Sequence, residues 1–429
     1  MSETKAAIGA TTGSRLGDEI VSRINQLGAI SETAEHLARI FLSPEHRIAA
    51  DLLMFWMKDA GMEAHLDAIG NVCGRYEGDR SGLPCLMLGS HYDTVRDAGK
   101  WDGPLGVITA IACVADLNRR GVRFPFAIEV VGFADEEGVR FASTLLGSRA
   151  VAGTFDESVL NARDANGLTM REAMVQFGLD PDHIGAAART RRELHAYVEL
   201  HIEQGPVLEQ QNLPVGVVTA ISGATRLAAN LTGMAGHAGT VPMAMRRDAL
   251  AGAAECIVAV EQFCKADSAG LVGTVGAITA LPGATNVIPG KVSFTLDIRA
   301  PTDAHRKLAV ADIVRRIEAI AKRRDLSLQI DVTHENRTVP CAPWLKAQVA
   351  EAVAAESYPV FEMPSGAGHD GMAMIDIADV AMLFVRCRGG ISHNPAEHVQ
   401  LADADAGARV LLRLIENFRP REAGRAGKT

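Results

Sequence analysis

The residues of this chain that could carry out chemistry begin with the acidic run Asp135-Glu136-Glu137. The run follows an apolar segment, residues 126–134, that predicts a buried strand. Because side chains of an extended chain point alternately to opposite sides, Glu136 and Glu137 are expected to diverge. One carboxylate can then ligate a metal ion while its neighbour transfers a proton. Alone, such a run is typical of a solvated turn, so other segments must support this interpretation.

Further acidic and histidine side chains lie at the ends of other predicted strands. His91 and Asp93 are two residues apart at a strand end and therefore face the same way. Asp93 can accept the second ring N–H of His91 and fix its tautomer. Asp102 lies in a glycine-flanked turn before a predicted helix, where its two oxygens could bridge two cations. These positions indicate a metal centre.

A pair of cations bridged by Asp102 would need ligands on both sides. His91 can bind one ion and Glu137 the other, and each ion then needs one more ligand. His201, at the end of a predicted strand, and His393, in a glycine-rich loop, can supply these ligands. Imidazole and carboxylate ligands suit zinc, or manganese where carboxylate and water dominate. We therefore expect two divalent metal ions per chain.

Alternating strand and helix patterns position these residues in the first half of the chain. A helix with Thr169 as its cap and Glu172 three residues later is expected over 169–177. The strand–helix–strand order predicts an α/β fold with a mainly parallel sheet flanked by helices and active groups at the strands' C-terminal ends. The other predicted elements are helices 48–60 and 104–120 and strands 83–88, 126–134 and 195–202.

The pattern changes near residue 213, where strands and two long helices suggest an inserted α+β domain of ferredoxin-like arrangement. We expect this domain to span 213–330. The catalytic domain is then discontinuous, over 1–212 and 331–429. The predicted elements are strands 215–221, 226–233, 271–280, 291–299 and 380–386, and helices 245–266, 302–324, 343–356 and 403–418.

Composition excludes several classes of protein. The formal net charge of −9 argues against nucleic-acid binding, which needs a basic face. The seven cysteines are scattered and never spaced as CxxC, which fits free thiols in a reducing compartment. Residues 1–14 lack a signal-peptide pattern, and no apolar run is long enough to span a membrane. We expect a cytoplasmic protein without a membrane partner.

Nine motifs in order carry a resemblance that covers nearly the whole chain. The chain resembles the di-metal aminoacylase and carboxypeptidase superfamily. Within it, the chain is similar to the hydantoinase/carbamoylase branch, which includes allantoate amidohydrolases, N-carbamoyl-L-amino-acid hydrolases and β-ureidopropionases. The motifs are GSHYDTV (89–95), KWDGPLGV (100–107), ADEEGVRF (134–141), HIEQGPVLE (201–209), GHAGTVPM (236–243), ATNVIPG (284–290), LDIRAP (296–301), PSGAGHD (364–370) and GGISHNPAE (389–397).

The resemblance assigns roles to the candidate residues. It implies that Glu136 is the general base and that the ions are zinc or manganese, with cobalt or nickel able to substitute in vitro. Within the superfamily, HIEQGP marks the branch that cleaves ureido groups. The implied ligand sets are His91, Asp102 and His201 for one metal, and Asp102, Glu137 and His393 for the other.

The resemblance also implies substrate-binding residues and an oligomeric state. The inserted domain is expected to form a homodimer, whose partner subunit could supply His237. His237 is also expected to donate a hydrogen bond to the developing oxyanion, and Arg299 to bind the substrate carboxylate. The implied substrate-binding residues are Gln204, His237, Asn286 and Arg299, with Gly366, Ala367 and Gly368 along the pocket.

The expected activity is metal-dependent hydrolysis of the ureido C–N bond of a small ureido acid, with release of ammonia and carbon dioxide. Allantoate is the first candidate substrate, N-carbamoyl-L-amino acids or β-ureidopropionate the second, and dipeptides the third. A catalytically silent metal-binding homologue is an alternative of another class, against which the complete ligand set and Glu136 argue. A nucleotide-binding protein is excluded, because residues 9–17 lack the Lys-Ser/Thr of a phosphate-binding loop.

Overall fold

The computed structural model describes residues 15–421, so residues 1–14, where no signal pattern was found, lie outside it. The chain divides into two compact units. Unit 1 contains the described residues up to Val218, together with Cys341–Glu362 and the described residues from His369 onward. Unit 2 contains Thr219–Pro340 and Met363–Gly368.

Helices occupy most positions where helical patterns were expected. The helix after Thr169 begins with a complete capping box, because Thr169 and Glu172 bond each other's backbone N–H groups. Within residues 15–421, no helix is long and apolar enough to cross a membrane. The helices are α1 (Arg15–Gly28), α2 (Pro44–Asp59), α3 (Pro104–Arg119), α4 (Leu146–Val151), α5 (Met170–Phe177), α6 (Val207–Gln211), α7 (Ala249–Lys265), α8 (Asp303–Arg323), α9 (Pro343–Ala355), α10 (Gly371–Met374) and α11 (Leu401–Asn417).

The strands of unit 1 include those that end at the candidate metal ligands. The strands of the chain are β1 (Glu63–Leu66), β2 (Val72–Tyr76), β3 (Cys85–His91), β4 (Ala127–Phe133), β5 (Leu194–Ile202), β6 (Val215–Ile221), β7 (Gly223–Thr232), β8 (Gly236–His237), β9 (Val272–Thr274), β10 (Ile278–Leu281), β11 (Val287–Ile288), β12 (Lys291–Ala300), β13 (Ser327–Asn336), β14 (Val339–Pro340), β15 (Glu362–Ser365) and β16 (Val380–Val385).

The central sheet of unit 1 is mainly parallel, and the fold is mixed α/β. Its strands follow the order β1-β2-β4-β3-β5-β16-β6. The inner strands β4, β3, β5 and β16 are parallel to one another. The outer pairings, β1 with β2, β2 with β4 and β16 with β6, are antiparallel. The C-terminal ends of the inner strands therefore meet at one edge of the sheet, where His91 and His201 lie.

Helices cover both faces of this sheet. Helix α3 packs on β3, β4 and β5 and is almost entirely buried. It can approach β5 closely because Gly106 has no side chain, and a methyl group there would collide with the Leu200 carbonyl oxygen. The other face carries a second apolar cluster, in which Met87 of β3 packs with Val151 of α4 and Met374 of α10. The sheet edge that carries the histidines is thus held rigidly from both sides.

Unit 2 is an α+β layer with its own core. Its sheet has the order β10-β12-β7-β13, with β9 also paired to β12. Helices α7 and α8 pack on this sheet, and every second side chain of β12 is buried beneath them. The strands of this unit differ from the sequence expectation, most clearly in two places. The region 271–280 forms two short strands, and β13 was not expected because it is polar and largely exposed at the sheet edge.

The core of unit 2 gives a test of packing on one helix. Ile313 of α8 is fully buried in the apolar cluster, whereas Leu308 on the same helix is 70% exposed. Ile313→Ala should lower the free energy of unfolding by about 2–5 kcal/mol, because it removes buried methyl groups and leaves a cavity. Leu308→Ala is the matched control and should change stability little. Chemical unfolding followed by circular dichroism measures both, and equal effects would contradict this assignment of the core.

Candidate metal centre

The buried carboxylate of Asp102 is the centre of the candidate site. Its Oδ1 atom lies 3.1 Å from His201 Nε2 and 3.6 Å from His91 Nε2. Its Oδ2 atom lies 3.2 Å from His393 Nε2. Asp102 occupies the loop between β3 and α3, and Pro104 begins the helix directly after it. The two oxygens of one carboxylate therefore face two different groups of imidazoles.

The first group consists of His91, Asp102 and His201, whose ligand atoms all lie within 4.8 Å of one another. Backbone oxygens fix the far side of each ring. His91 Nδ1 lies 3.1 Å from the Asp93 carbonyl oxygen, and His201 Nδ1 lies 2.9 Å from the Ile202 carbonyl oxygen. Both rings therefore present Nε2 to Asp102, which is the orientation that a metal ligand needs.

Two buried polar atoms of the first group also indicate that it could hold a cation. Asp102 Oδ1 and His201 Nε2 are buried, lie 3.1 Å apart and have no well-aligned hydrogen-bond partner. Buried polar atoms of this kind are rare and call for an explanation such as an ion. A divalent cation between the imidazole nitrogens and the carboxylate would satisfy both atoms.

The second group consists of Asp102, Glu137 and His393. His393 Nε2 lies 3.2 Å from Glu137 Oε1 and also 3.2 Å from Asp102 Oδ2, the oxygen of Asp102 that does not belong to the first group's contacts. Hydrogen bonds with Asp102 and then Glu137 raise the pKa of His393 to about 10. The two carboxylates thus stabilise positive charge at this point, and a divalent cation would meet the same field.

Asp102 itself is held as an anion. Burial opposes its ionisation, but the imidazoles of His201, His393 and His91 around the carboxylate outweigh burial and hold its pKa well below the usual value. An ionised carboxylate accepts on both oxygens, so it can bind a cation on each side. The charge state of Asp102 therefore suits a bridging ligand.

Asp93 holds the backbone of the two adjacent glutamates. Its carboxylate accepts the backbone N–H groups of Glu136 (3.1 Å) and Glu137 (3.2 Å) and lies 3.3 Å from His91 Nδ1. The expected divergence of the two glutamates is wrong, because carboxylate oxygens of Glu136 and Glu137 lie within 4.8 Å of each other and of a His91 ring nitrogen. Burial and then the Glu137 carboxylate raise the pKa of Glu136 well above its usual value. Glu136 thus has the raised pKa that suits a group taking up a proton near neutral pH.

Gln204 lies in the same centre. Its side-chain nitrogen donates to Asp102 Oδ2 at 2.7 Å and lies 3.3 Å from Ser392 Oγ. Its amide oxygen is buried and has no hydrogen-bond partner. The backbone at Gln204 is left-handed, with φ of 57°, which directs the side chain towards Asp102. The unpaired oxygen is free to accept a hydrogen bond from a ligand.

Several residues of the site were not singled out from the sequence. Glu199, His201 and His369 form another group whose ligand atoms lie within 4.8 Å. Glu199 is two residues before His201 on β5 and therefore faces the same side, a signal that strand alternation offers. Asp370 and Glu397 also lie here, at the ends of the motifs PSGAGHD and GGISHNPAE, and Ser392 precedes His393 within the second motif.

The expected substrate residues of unit 2 lie in two separate places. His237 pairs with Val287, and the Asn286 carbonyl oxygen accepts the Ala238 N–H at 2.9 Å. These residues lie beside the start of β12, because Gly233 bonds the Gly290 carbonyl oxygen. Arg299 lies near the other end of β12, and the strand between Lys291 and Arg299 extends about 26 Å. His237 and Arg299 of one chain therefore cannot contact the same small molecule.

Arg299 borders a cavity of about 620 Å³ in unit 2, whose lining also includes Arg226 and Thr295. Its guanidinium forms a two-pronged ion pair with Asp297, at 2.9 and 3.0 Å. Its Nη1 atom donates to the Gly366 carbonyl oxygen at 2.7 Å. Ala367 and Gly368 follow in the same segment of unit 2. Arg299 keeps further N–H groups for an anion, because a guanidinium carries five.

The chain is similar to known proteins over nearly its whole described length. The family described as Peptidase family M20/M25/M40 matches residues 87–417. An allantoate deiminase of Arabidopsis thaliana is 42% identical over 451 residues, covering 96% of this chain and 85% of that protein. An N-carbamoyl-L-amino acid amidohydrolase of Geobacillus stearothermophilus is 41% identical, covering 93% of this chain and 98% of that protein.

A solved structure shares the architecture over almost the same length. It is an amidase of the hydantoinase/carbamoylase family from Burkholderia multivorans, 34% identical, with a TM-score of 0.87. The similarity covers 93% of this chain and 97% of that one. The resemblance inferred from the nine motifs is confirmed.

The two ligand groups that share Asp102 predict two metal ions per chain. Elemental analysis after reconstitution with zinc or manganese should find close to two equivalents. Glu137→Gln should lose close to one equivalent, because Glu137 belongs to the second group. Glu136→Gln, the matched change one residue earlier, should retain both. Equal metal contents in the two variants would contradict the different roles given to the two glutamates.

Proposed function

Since the chain belongs to Peptidase family M20/M25/M40, we propose that it is a two-metal amidohydrolase cleaving the ureido C–N bond of a small ureido carboxylic acid. The observation that carries the proposal is the pair of ligand groups joined by Asp102, with Glu136 beside them. His91, Asp102 and His201 would hold one ion, and Asp102, Glu137 and His393 the other. Zinc and manganese suit these ligands, and cobalt or nickel can substitute in vitro.

Allantoate is the proposed substrate, and ammonia and carbon dioxide are the proposed products. The names of the relatives support this choice, because allantoate deiminases of plants are among them. N-carbamoyl-L-amino acid amidohydrolases match at similar identity, so an N-carbamoyl-L-amino acid, or β-ureidopropionate, is the alternative substrate. A catalytically silent metal-binding homologue is the alternative of another class, and the intact Glu136 argues against it.

Glu136 is the proposed general base. Bound divalent ions would polarise the ureido carbonyl and lower the pKa of a water molecule. Glu136 takes the proton of the attacking water and returns it to the leaving nitrogen, as its raised pKa allows. Asp93 keeps Glu136 in place through the backbone N–H group. Glu137, one residue further, remains a ligand.

Arg299 is proposed to bind the substrate carboxylate. Asp297 holds the guanidinium on one side, so the N–H groups that remain point in a defined direction. Gln204 and Asn286 are proposed to bind the ureido groups, and Gly366, Ala367 and Gly368 to line the pocket. Allantoate carries two ureido arms on the carbon beside its carboxylate, so more than one polar residue must receive them.

The inserted segment of about 213–330, most of which belongs to unit 2, is proposed to be a ferredoxin-like dimerisation domain. The positions of His237 and Arg299 support a homodimer, because the two residues lie near opposite ends of β12. If both bind one substrate, they must come from two subunits, and Asn286, which lies beside His237, must then come from the same subunit as His237. His237 of one subunit would then donate to the oxyanion in the site of the other.

The cytoplasm is the proposed compartment. All seven cysteines are free, and six of them are buried. Burial raises the pKa of the Cys341 thiol to about 12, which keeps it protonated and unreactive. Free thiols in this number fit a reducing environment.

A substrate panel tests the proposed function. Metal-reconstituted enzyme should release ammonia from allantoate faster than from N-carbamoyl-L-amino acids with apolar side chains. Glu136→Gln should release none from either, because it retains the ligands but cannot accept a proton. Faster turnover of the carbamoyl amino acids would make the alternative substrate the correct one. Full activity of the chelator-treated enzyme would refute metal-dependent hydrolysis.

A complementation experiment tests the shared site. His237→Ala and Arg299→Ala homodimers should each lose most activity, roughly a hundredfold for the lost ion pair of Arg299. Mixed dimers of the two variants should regain one complete site, so an equal mixture should recover about a quarter of the wild-type activity. If His237 acts within its own subunit, the mixture stays inactive. Light scattering on each preparation confirms that dimers were formed.

A further inference from the structure

Glu397 is a buried carboxylate that the proposed mechanism does not use. It is 4% exposed and ends the motif GGISHNPAE, in which His393 is the proposed ligand. Burial of a carboxylate is unfavourable unless hydrogen bonds compensate it. Glu397 makes no ion pair with an arginine or lysine among the described residues, so its hydrogen bonds must provide the compensation. Those bonds join two loops that are distant in sequence.

The first loop is the one that carries Asp102. Glu397 Oε1 accepts the backbone N–H groups of Trp101 at 2.7 Å and of Asp102 at 3.0 Å. The contact is close, because a methyl group added to Gly99 would collide with the Glu397 side chain. One oxygen atom of Glu397 thus fixes the backbone of the proposed bridging ligand.

The second loop is the one that carries His393. Ser392 Oγ donates to Asp102 Oδ2 at 2.5 Å and also lies 3.1 Å from Glu397 Oε2. Ser392 is adjacent to His393, whose backbone is left-handed with φ of 52°. A residue other than glycine adopts this conformation only where its surroundings hold it. Glu397 and Ser392 provide such a hold next to the ligand.

We propose that Glu397 is a positioning residue that fastens the Asp102 loop to the His393 loop and so forms the second metal site in advance. It binds neither metal nor substrate, because both of its oxygens are occupied by Trp101, Asp102 and Ser392. The inference rests on the proposed function only in taking Asp102 and His393 as metal ligands. Its consequence is measured as metal affinity, independently of any substrate.

Titration of the apo-protein with Co²⁺ or Zn²⁺, followed by calorimetry and by the visible spectrum of Co²⁺, tests the proposal. Glu397→Ala should weaken the binding of the second metal equivalent about 10–100-fold, as loss of a group that orients a ligand typically does. Glu397→Gln should retain most of the affinity, because its amide oxygen can accept the two backbone N–H groups and its NH₂ can donate to Ser392. A carboxylate that bound the metal itself would instead lose affinity equally in both variants.

Asp67→Asn is the matched control. Asp67 is also a buried carboxylate that accepts backbone N–H groups, those of Ile69, Gly70 and Asn71, but it contacts neither ligand loop. It should leave the affinity for both metal ions unchanged. If Glu397→Ala fails to fold, Ser392→Ala tests the same proposal. It should weaken the binding of the second metal equivalent by a smaller factor.

The outcomes separate this inference from the proposed function. Wild-type affinity in Glu397→Ala, or equal losses in Glu397→Ala and Glu397→Gln, would overturn the positioning role while leaving hydrolysis intact. The expected affinity pattern in a protein that hydrolyses no ureido acid would support the positioning role and refute the function. A wild-type protein that binds no metal would refute both.

Discussion

The candidate site depends on the two negatively charged carboxylate oxygens of Asp102. They lie within about 4 Å of three imidazole rings, all belonging to side chains on different segments of unit 1. An ionised carboxylate buried in this way is stable only where positive charge surrounds it. The loops around Asp102 therefore serve one electrostatic requirement. They must keep cationic or metal-binding groups on both sides of a single buried anion.

The parallel part of the sheet meets this requirement by geometry. Strands β3 and β5 are neighbours in register, so His91 and His201 arrive at the same edge of the sheet. Strand β4 ends beside β3 and delivers the acidic run that contains Glu137. Asp102 and His393 lie in loops, and His393 is the most exposed of the candidate ligands, at 48% of its side chain. Strand ends and two loops together define the candidate centre.

The candidate ligands could be singled out from the sequence because each combines a suitable residue type with a strand end or with the loop that follows one. His91 and His201 end apolar runs that read clearly as strands, and Glu137 follows one closely. Glu397 could not be found in this way, since its partners Trp101 and Asp102 are almost 300 residues away and no local pattern records such a contact. Strand β13 was missed because an exposed edge strand needs few apolar residues.

The order of strands in unit 1 has a consequence for folding during synthesis on the ribosome. Strand β16 lies between β5 and β6, so both strands lack this hydrogen-bonding partner until synthesis has reached Val385. At typical rates of synthesis, β5 waits for that partner on the order of ten seconds or more. Eight of its nine residues are buried in the finished fold, so the nascent chain carries an open apolar edge during this time. Chaperone demand should therefore be concentrated in the interval before β16 emerges.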